Sequence, residues 1–303
     1  MSGTFNRGTG LIVIEVRASN PNGDPDAEGE PRTTGADRRG LISPVSFKRK
    51  LRDLVADAEG PAFQAASAAL GLDRGPNRFG ILEARHRKRE EITRMGPETF
   101  IPAYWDARVF GNTFLESMKG KDVPKGPARD HFISTGAVQF GPGISVSPID
   151  IEYGTLTNKA GVEDDKDRGM APLAWRFVPH AIYVMPFFVN PLAARKSGCT
   201  AEDIELMKFM IPLAYRATAS VARPDVEILH AWYAEHRSPL GSCPDWQIVD
   251  ALTPARIADP DCPSTSRADY RVPTRTDVPA ETRGLILSVE DLCLKEWAEP
   301  VPA

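Results

Sequence analysis

The chain has 303 residues, 37 Lys and Arg against 41 Asp and Glu, and a formal net charge of −4. That length holds one large domain or two ordinary ones, and the 42% hydrophobic and 26% charged content is that of a globular chain. No apolar run approaches the roughly 20 residues of a membrane span, residues 1–10 lack an apolar signal core, and Cys199, Cys243, Cys262 and Cys293 form no C-x-x-C pair, so a membrane protein, a secreted protein and a zinc ribbon are set aside and a reducing, cytoplasmic setting is expected.

Gly10 to Arg17 (GLIVIEVR) is the first expected strand, a short apolar run rich in β-branched residues. Ser19 to Pro31 is dense in Asn, Pro, Gly and Asp, the residues of turns. A helix is expected from Ser43, with Ser43 as N-cap and Pro44 at the first helical position. On a helical wheel Phe47, Leu51, Leu54 and Ala58 form one stripe, Lys48, Arg49 and Arg52 lie on the far side, and Lys50 on a flank. Gly60-Pro61 ends it. Residues 61–130 read as an insertion, with a short Ala-rich helix at Ala62 to Leu70 and a strand within Thr99 to Phe110. Phe132 to Leu156 has a β pattern, residues 154–176 suit a protruding hairpin, and Arg176 to Val189 returns to strand. Thr200 to Arg216 is the second clear helix, with a capping box of Thr200 and Asp203, a buried stripe of Ile204, Met207 and Ile211, and a kink at Pro212. Asp225 to His236 reads as a strand, with helix as the competing reading. Residues 254–282 read as an extended crossing segment within a C-terminal stretch 250–303, and Arg283 to Leu292 as a last strand and turn. The fold class expected from this order is α+β, a single ferredoxin-like (βαββαβ) domain over residues 1–303.

The charge is unevenly spread. Residues 1–130 carry 21 basic and 18 acidic residues, and residues 240–303 carry 6 and 11. Between Arg32 and Arg52 seven basic residues face one acid, Asp37. Clustered cations beside Asn side chains and free backbone N–H groups can hold phosphates, so this block is the leading candidate for polyanion contact. The competing reading is a solvated helix face. Arg85, Arg87, Lys88 and Arg89 form a second cluster, read first as a solvated face or subunit contact. The five histidines are not grouped as metal ligands, and no cofactor motif is present, so no metal and no cofactor are expected.

The same block carries a resemblance. Asn20-Pro21-Asn22-Gly23-Asp24-Pro25-Asp26, then Pro31-Arg32, Gly40-Leu41 and Lys48-Arg49-Lys50-Leu51-Arg52, resembles the opening of the CRISPR-associated backbone subunits of type I Cascade, the Cas-seven superfamily, and within it the type I-C (Csd-two/Csh-two) branch. Asp106-Ala107-Arg108-Val109-Phe110-Gly111 is similar to that family's D-x-R-x-F-G, Gly126-Pro127 to its R/K-G-P stretch, Arg168-Gly169-Met170 to a late R-x-M, and Val178-Pro179-His180-Ala181-Ile182-Tyr183 to V-P-x-x-x-Y. The likeness runs over about residues 10–250 and is poor over 61–100.

The resemblance implies a RAMP-type, RRM-like palm without enzymatic activity that binds CRISPR RNA, stacks head-to-tail on copies of itself, joins other Cascade subunits and presents the guide to a target DNA strand. It implies a β-hairpin thumb at 154–176, with Arg168 and Met170 on it and Met170 as an apolar wedge. The RNA-binding residues expected on this basis are Asn20, Asn22, Arg32, Lys48, Arg49, Arg52, Arg108, Arg168 and Met170. Two alternatives stand beside it. In one, Asp24 and Asp26 hold a metal and cut RNA, as in related type III subunits. In the other, the chain is an oligomeric structural protein without RNA.

Overall fold

A computed structural model of the chain describes residues 5–72, 78–84, 97–113, 133–158 and 171–297. In chain order the main elements are β1 (Gly8–Ser19), β2 (Arg39–Ile42), α1 (Pro44–Ala56), α2 (Pro61–Leu70), α3 (Pro97–Ala103), α4 (Trp105–Phe110), β3 (Val138–Phe140), β4 (Gly143–Pro148), β5 (Glu152–Asn158), β6 (Ala171–Val189), α5 (Pro191–Ser197), α6 (Ala201–Met210), β7 (Asp225–His236), α7 (Asp245–Leu252), α8 (Ala280–Leu285) and β8 (Ile286–Asp291). The architecture is α+β. Among the described residues one antiparallel sheet has eight strands, ordered β8-β7-β1-β6-β4-β2, with β3 and β5 also pairing with β6.

β1 lies between β6 and β7, with Gly8 opposite Val189 and Glu235. Successive side chains of a strand point to opposite faces. Ile12, Ile14 and Val16 enter a core shared with α1, α2, α4 and α6, which contribute Phe47, Leu51, Phe63, Trp105 and Met207. Leu11 and Val13 enter a second core with Ile248 and Leu252 of α7, Tyr270, Val278 and Ile286. Both faces are covered, and this is why the run is apolar at both parities. The crossing segment expected over 254–282 is thus a roof over the second face, though it holds short helical turns and a two-strand ladder, Ala255–Arg256 with Tyr270–Arg271. Beneath it runs a polar chain. His180 reaches Glu15 (3.3 Å) and Ser264 (2.8 Å), and Tyr270 reaches Ser264 and Ser147 (both 2.8 Å).

The local signals hold at most ends. Ser43 Oγ accepts from the N–H of Ser46 (3.1 Å) with Pro44 inside the first turn. The Thr200–Asp203 capping box is complete, and α6 tightens to a 3-10 turn at Ile211–Leu213, where Pro212 removes a donor. α1 stops at Ala56, so Ala58 lies beyond it and is exposed. The strand expected within Thr99 to Phe110 is instead the helix pair α3 and α4. Phe100, Ala103, Tyr104 and Ala107 bury together at helical spacing, while Trp105 and Val109 face the main core. The extended backbone at Tyr104 cuts the run into pieces too short to show that period.

Gly40 lies under Tyr183, where a Cβ would meet the phenol oxygen at 2.1 Å. That hydroxyl is buried and has no hydrogen-bond partner among the described residues. Tyr183→Phe is expected to stabilise the protein by about 1 kcal/mol, because it removes an unsatisfied polar group. An unchanged urea midpoint would mean that the hydroxyl is satisfied after all.

Candidate nucleic-acid interface

The Asn-Pro-Asn-Gly-Asp-Pro-Asp string folds as a closed turn. Asn20 takes its N–H to Ala222 O (2.8 Å) and donates Nδ2 to Gly29 O (2.7 Å). Asn22 Oδ1 accepts from the N–H of Ser43 (2.8 Å), which ties the string to the start of α1. Asp24 accepts from the N–H of Asp26 (3.2 Å) and pairs with Arg32 (3.3 Å). Gly29 at φ +81 closes the turn, with its N–H on Asp24 O. Two atoms stay unpaired among the described residues, Asn20 Oδ1 and Arg32 Nε. Asn20, Asn22 and Arg32 are therefore brought together, while Asp24 is spent on its own turn and on Arg32. No group of three or more His, Cys, Asp or Glu among the described residues could hold a metal ion.

The basic face of α1 needs correction. Arg52 does not point to solvent. It is buried, with Nε on Asp106 Oδ2 (2.9 Å) and a second contact to Glu83 (3.1 Å). Arg49 is held by Asp53 and by Glu83 O (2.5 Å). Lys48 is half-buried 5.9 Å from the Phe110 ring centroid, and burial, with Arg52 beside it, pushes its ammonium below the usual lysine range. The wheel finds the stripe facing the sheet but not the second side on which α4 and residues 81–84 cover the helix. Lys50, read as flanking, is buried against Tyr215.

Arg108 is also interior. Its guanidinium makes a two-pronged pair with Asp203 (2.9 and 2.7 Å) and donates to the carbonyls of Ile101, Pro102 and Arg78. Arg52, expected on the solvent side of α1, and Arg108, expected to contact RNA, are thus both held in buried ion pairs. Asp106 and Arg108 are two residues apart on a helix and so point in nearly opposite directions. One clamps α4 to α1 and the other clamps it to α6.

The hairpin expected over 154–176 is present at its base. Glu152 to Asn158 pairs with Ala171 to Phe177, Tyr153 lying opposite Arg176. Arg168 and Met170 lie outside the described residues, as do the Arg85 to Arg89 cluster and Gly126-Pro127. The base joins the turn of residues 20–32. Arg176 bonds Glu28 and the exposed Tyr153 donates to Glu30 (3.0 Å). Trp175 and Phe177 stack at 4.2 Å, and Trp175 covers Gly154, where a Cβ would meet the ring at 2.9 Å. Tyr153, Trp175, Arg176 and Arg223 were not singled out from the sequence. Alternation along 171–177 carried a signal for Trp175 and Arg176, the β pattern of 132–156 carried one for Tyr153, and Arg223 carried none, being a lone cation in a turn.

The sequence model of the family described as CRISPR-associated protein Cas7 matches residues 6–275. A CRISPR-associated protein Cas7 of Haloferax volcanii is 26% identical over 212 residues, 67% of this chain and 62% of the relative, so the chain spans less than two thirds of that protein's length. The solved structures this chain is similar to include the following three. A CRISPR RNA-guided surveillance complex, pre-nicking, is 14% identical with a TM-score of 0.43, over 76% of this chain and 78% of that one. A CRISPR RNA-guided surveillance complex is 17% identical with a TM-score of 0.35, over 75% and 69%. A type III-B Cmr-beta bound to cognate target RNA is 11% identical with a TM-score of 0.42, over 76% and 61%. All three scores fall below 0.5 and carry no weight. The family match spans most of the chain, including the turn, the α4 clamp and both arms of the hairpin, and the chain belongs to the CRISPR-associated protein Cas7 family.

Proposed function

We propose that this chain is a CRISPR RNA-binding backbone subunit of a type I, I-C-like surveillance complex. The observation that carries the reading is the union of the turn of residues 20–32 with the hairpin base, in a chain matched by the family over residues 6–275. The central strands support an RRM-like palm. Taking β1, β4, β6 and β7 as first to fourth, their order in the sheet is 4-1-3-2, with α1 after the first and α6 after the third. Residues 61–130 are an insertion on this palm, 154–176 a thumb-like hairpin carrying Arg168 and Met170, and 250–303 the covering C-terminal segment. Copies assemble head-to-tail along one guide with other subunits, hold its backbone without reading sequence, and leave recognition of the target DNA strand to base pairing. The setting is cytoplasmic. No helix among the described residues is long and apolar enough to cross a membrane. We assign no catalysis, since Asp24 caps its own turn and pairs with Arg32.

Electron microscopy of the purified protein, with its absorbance at 260 nm, tests the reading. RNA-bearing filaments or crescents are expected, and RNA-free particles would overturn it. The solvent side of α1 has its own test. Lys48→Ala with Arg49→Ala should flatten the dependence of log affinity on log salt by about 0.7 for each phosphate no longer neutralised. An unchanged slope would remove these two residues from the interface.

A further inference from the structure

Lys50 lies on α1 and Arg223 in the turn Ser220–Arg223, and among the described residues neither has a carboxylate within ion-pair distance. Lys50 is 6% exposed, and among the described residues Nζ makes two long hydrogen bonds, to Ser46 O and Oγ, both 3.4 Å. Its ammonium sits 4.9 Å from the centroid of Tyr215. Asp53 lies on the same helix but is taken by Arg49. Arg223 spends Nε on Asn20 O (3.1 Å), and its terminal nitrogens have no partner among the described residues. The Tyr215 hydroxyl is buried and also has no partner among the described residues. Lys50 and Arg223 each have an unused donor, and the positive charge of Arg223 disfavours the charged form of Lys50. A buried ammonium beside a second cation, with no counter-charge, is costly unless an anion completes it.

The surroundings select the anion. The turn holding Arg223 is exposed, so the site opens to one side. Val221, 66% exposed and two residues from Arg223 in the same turn, offers apolar surface to a ribose or base. Asn20, which carries Arg223 on its carbonyl, belongs to the turn described above.

We propose that Lys50 and Arg223 form the seat of one backbone phosphate of the bound RNA, with the Tyr215 ring backing the Lys50 ammonium. The proposal rests on the RNA-binding reading and adds a site to it. Lys50 and Arg223 donate to the same phosphate, Arg223 from the end of a surface side chain and Lys50 from the floor. In the free protein the Lys50 charge is uncompensated. Burial, then Arg223, push its ammonium down to about 8, with Asp53 acting weakly in the other direction. A phosphate favours the charged form, so RNA binding raises that value. Above about pH 8 the free protein must take up a proton to bind, and affinity falls by up to about tenfold per pH unit until the bound value is reached.

The experiment is titration of a fluorescein-labelled single-stranded RNA against the full-length protein and three variants, Lys50→Met, Arg223→Gln and Lys50→Arg. Lys50→Met and Arg223→Gln should each weaken binding roughly tenfold at pH 7 and flatten the salt slope by about 0.7. The double variant should flatten it no further, since both groups serve one phosphate. Lys50→Arg should bind and should lose the extra decline above pH 8. Lys50→Met should also raise the urea midpoint of the RNA-free protein, because it removes an uncompensated buried charge. Full affinity and slope in both single variants, with the unaltered protein binding RNA, would refute the seat and leave the function standing. Failure of the unaltered protein to bind RNA would refute both.

Discussion

Asp106→Ala is expected to cost about 3–5 kcal/mol of stability, read as a fall in the urea midpoint. The carboxylate is 1% exposed and accepts from Arg52 Nε (2.9 Å) and from the backbone N–H groups of Leu82 (2.6 Å) and Glu83 (3.1 Å). Alanine strands a buried guanidinium and two backbone donors at once. Arg52 keeps its place over the Phe110 ring and its pairing with Glu83, whose side chain is largely exposed and so supplies a weak, screened partner. Asp106→Asn keeps the shape and the acceptor oxygen but loses the charge, and should fall between. A loss below about 1 kcal/mol in the alanine variant would mean that the clamp between α4 and α1 contributes little.

Arg108→Met is expected to destabilise by a similar amount, about 3–5 kcal/mol. Among the described residues it leaves the Asp203 carboxylate with only the Thr200 N–H as partner (2.9 Å) and frees the carbonyls of Ile101, Pro102 and Arg78. The double variant Arg108→Met, Asp203→Leu should recover part of the loss, since no charge is then left unpaired, and the cycle gives the coupling between the two. Strictly additive losses would show that the pair is not coupled. In either variant, weaker RNA binding should vanish once the measurement is restricted to folded protein. A loss that persists in folded Arg108→Met would return Arg108 to the interface.

The sequence made the frame readable because the frame is built from local signals. The Ser43 cap, the Thr200–Asp203 box and the apolar runs of β1, β6 and β7 are written in neighbouring residues. Side-chain roles were less legible where the partner is far along the chain. Arg52 reads as solvent-facing on a wheel because Asp106, 54 residues later, is invisible there. The D-x-R motif was visible, but its two residues serve two different helices, and only the packing of α4 shows this. Lys50 was read only as a flanking residue because its distinguishing property is a missing partner, and a sequence does not display absences. The same holds for Arg223. The turn of residues 20–32 was found by resemblance and by composition, while its junction with Tyr153 and Arg176 belongs to tertiary structure.

β6 runs unbroken for 19 residues, from Ala171 to Val189, about 60 Å at the usual rise. Its second half is a central plank of the sheet, clamped by β1 along Val178 to Val189, and its first half is one rail of the hairpin. In mechanical terms it is a cantilever built into its wall, with no joint at the root. The root is braced from below by Arg176 and Tyr153 on the turn of residues 20–32. The direction in which the arm leaves the body is therefore set by the hydrogen bonds of the sheet. Inserting a single residue near Phe177 would turn every side chain of the rail to the opposite face while leaving the wall intact. Such a variant would fold, and its arm would present the wrong side to whatever it meets.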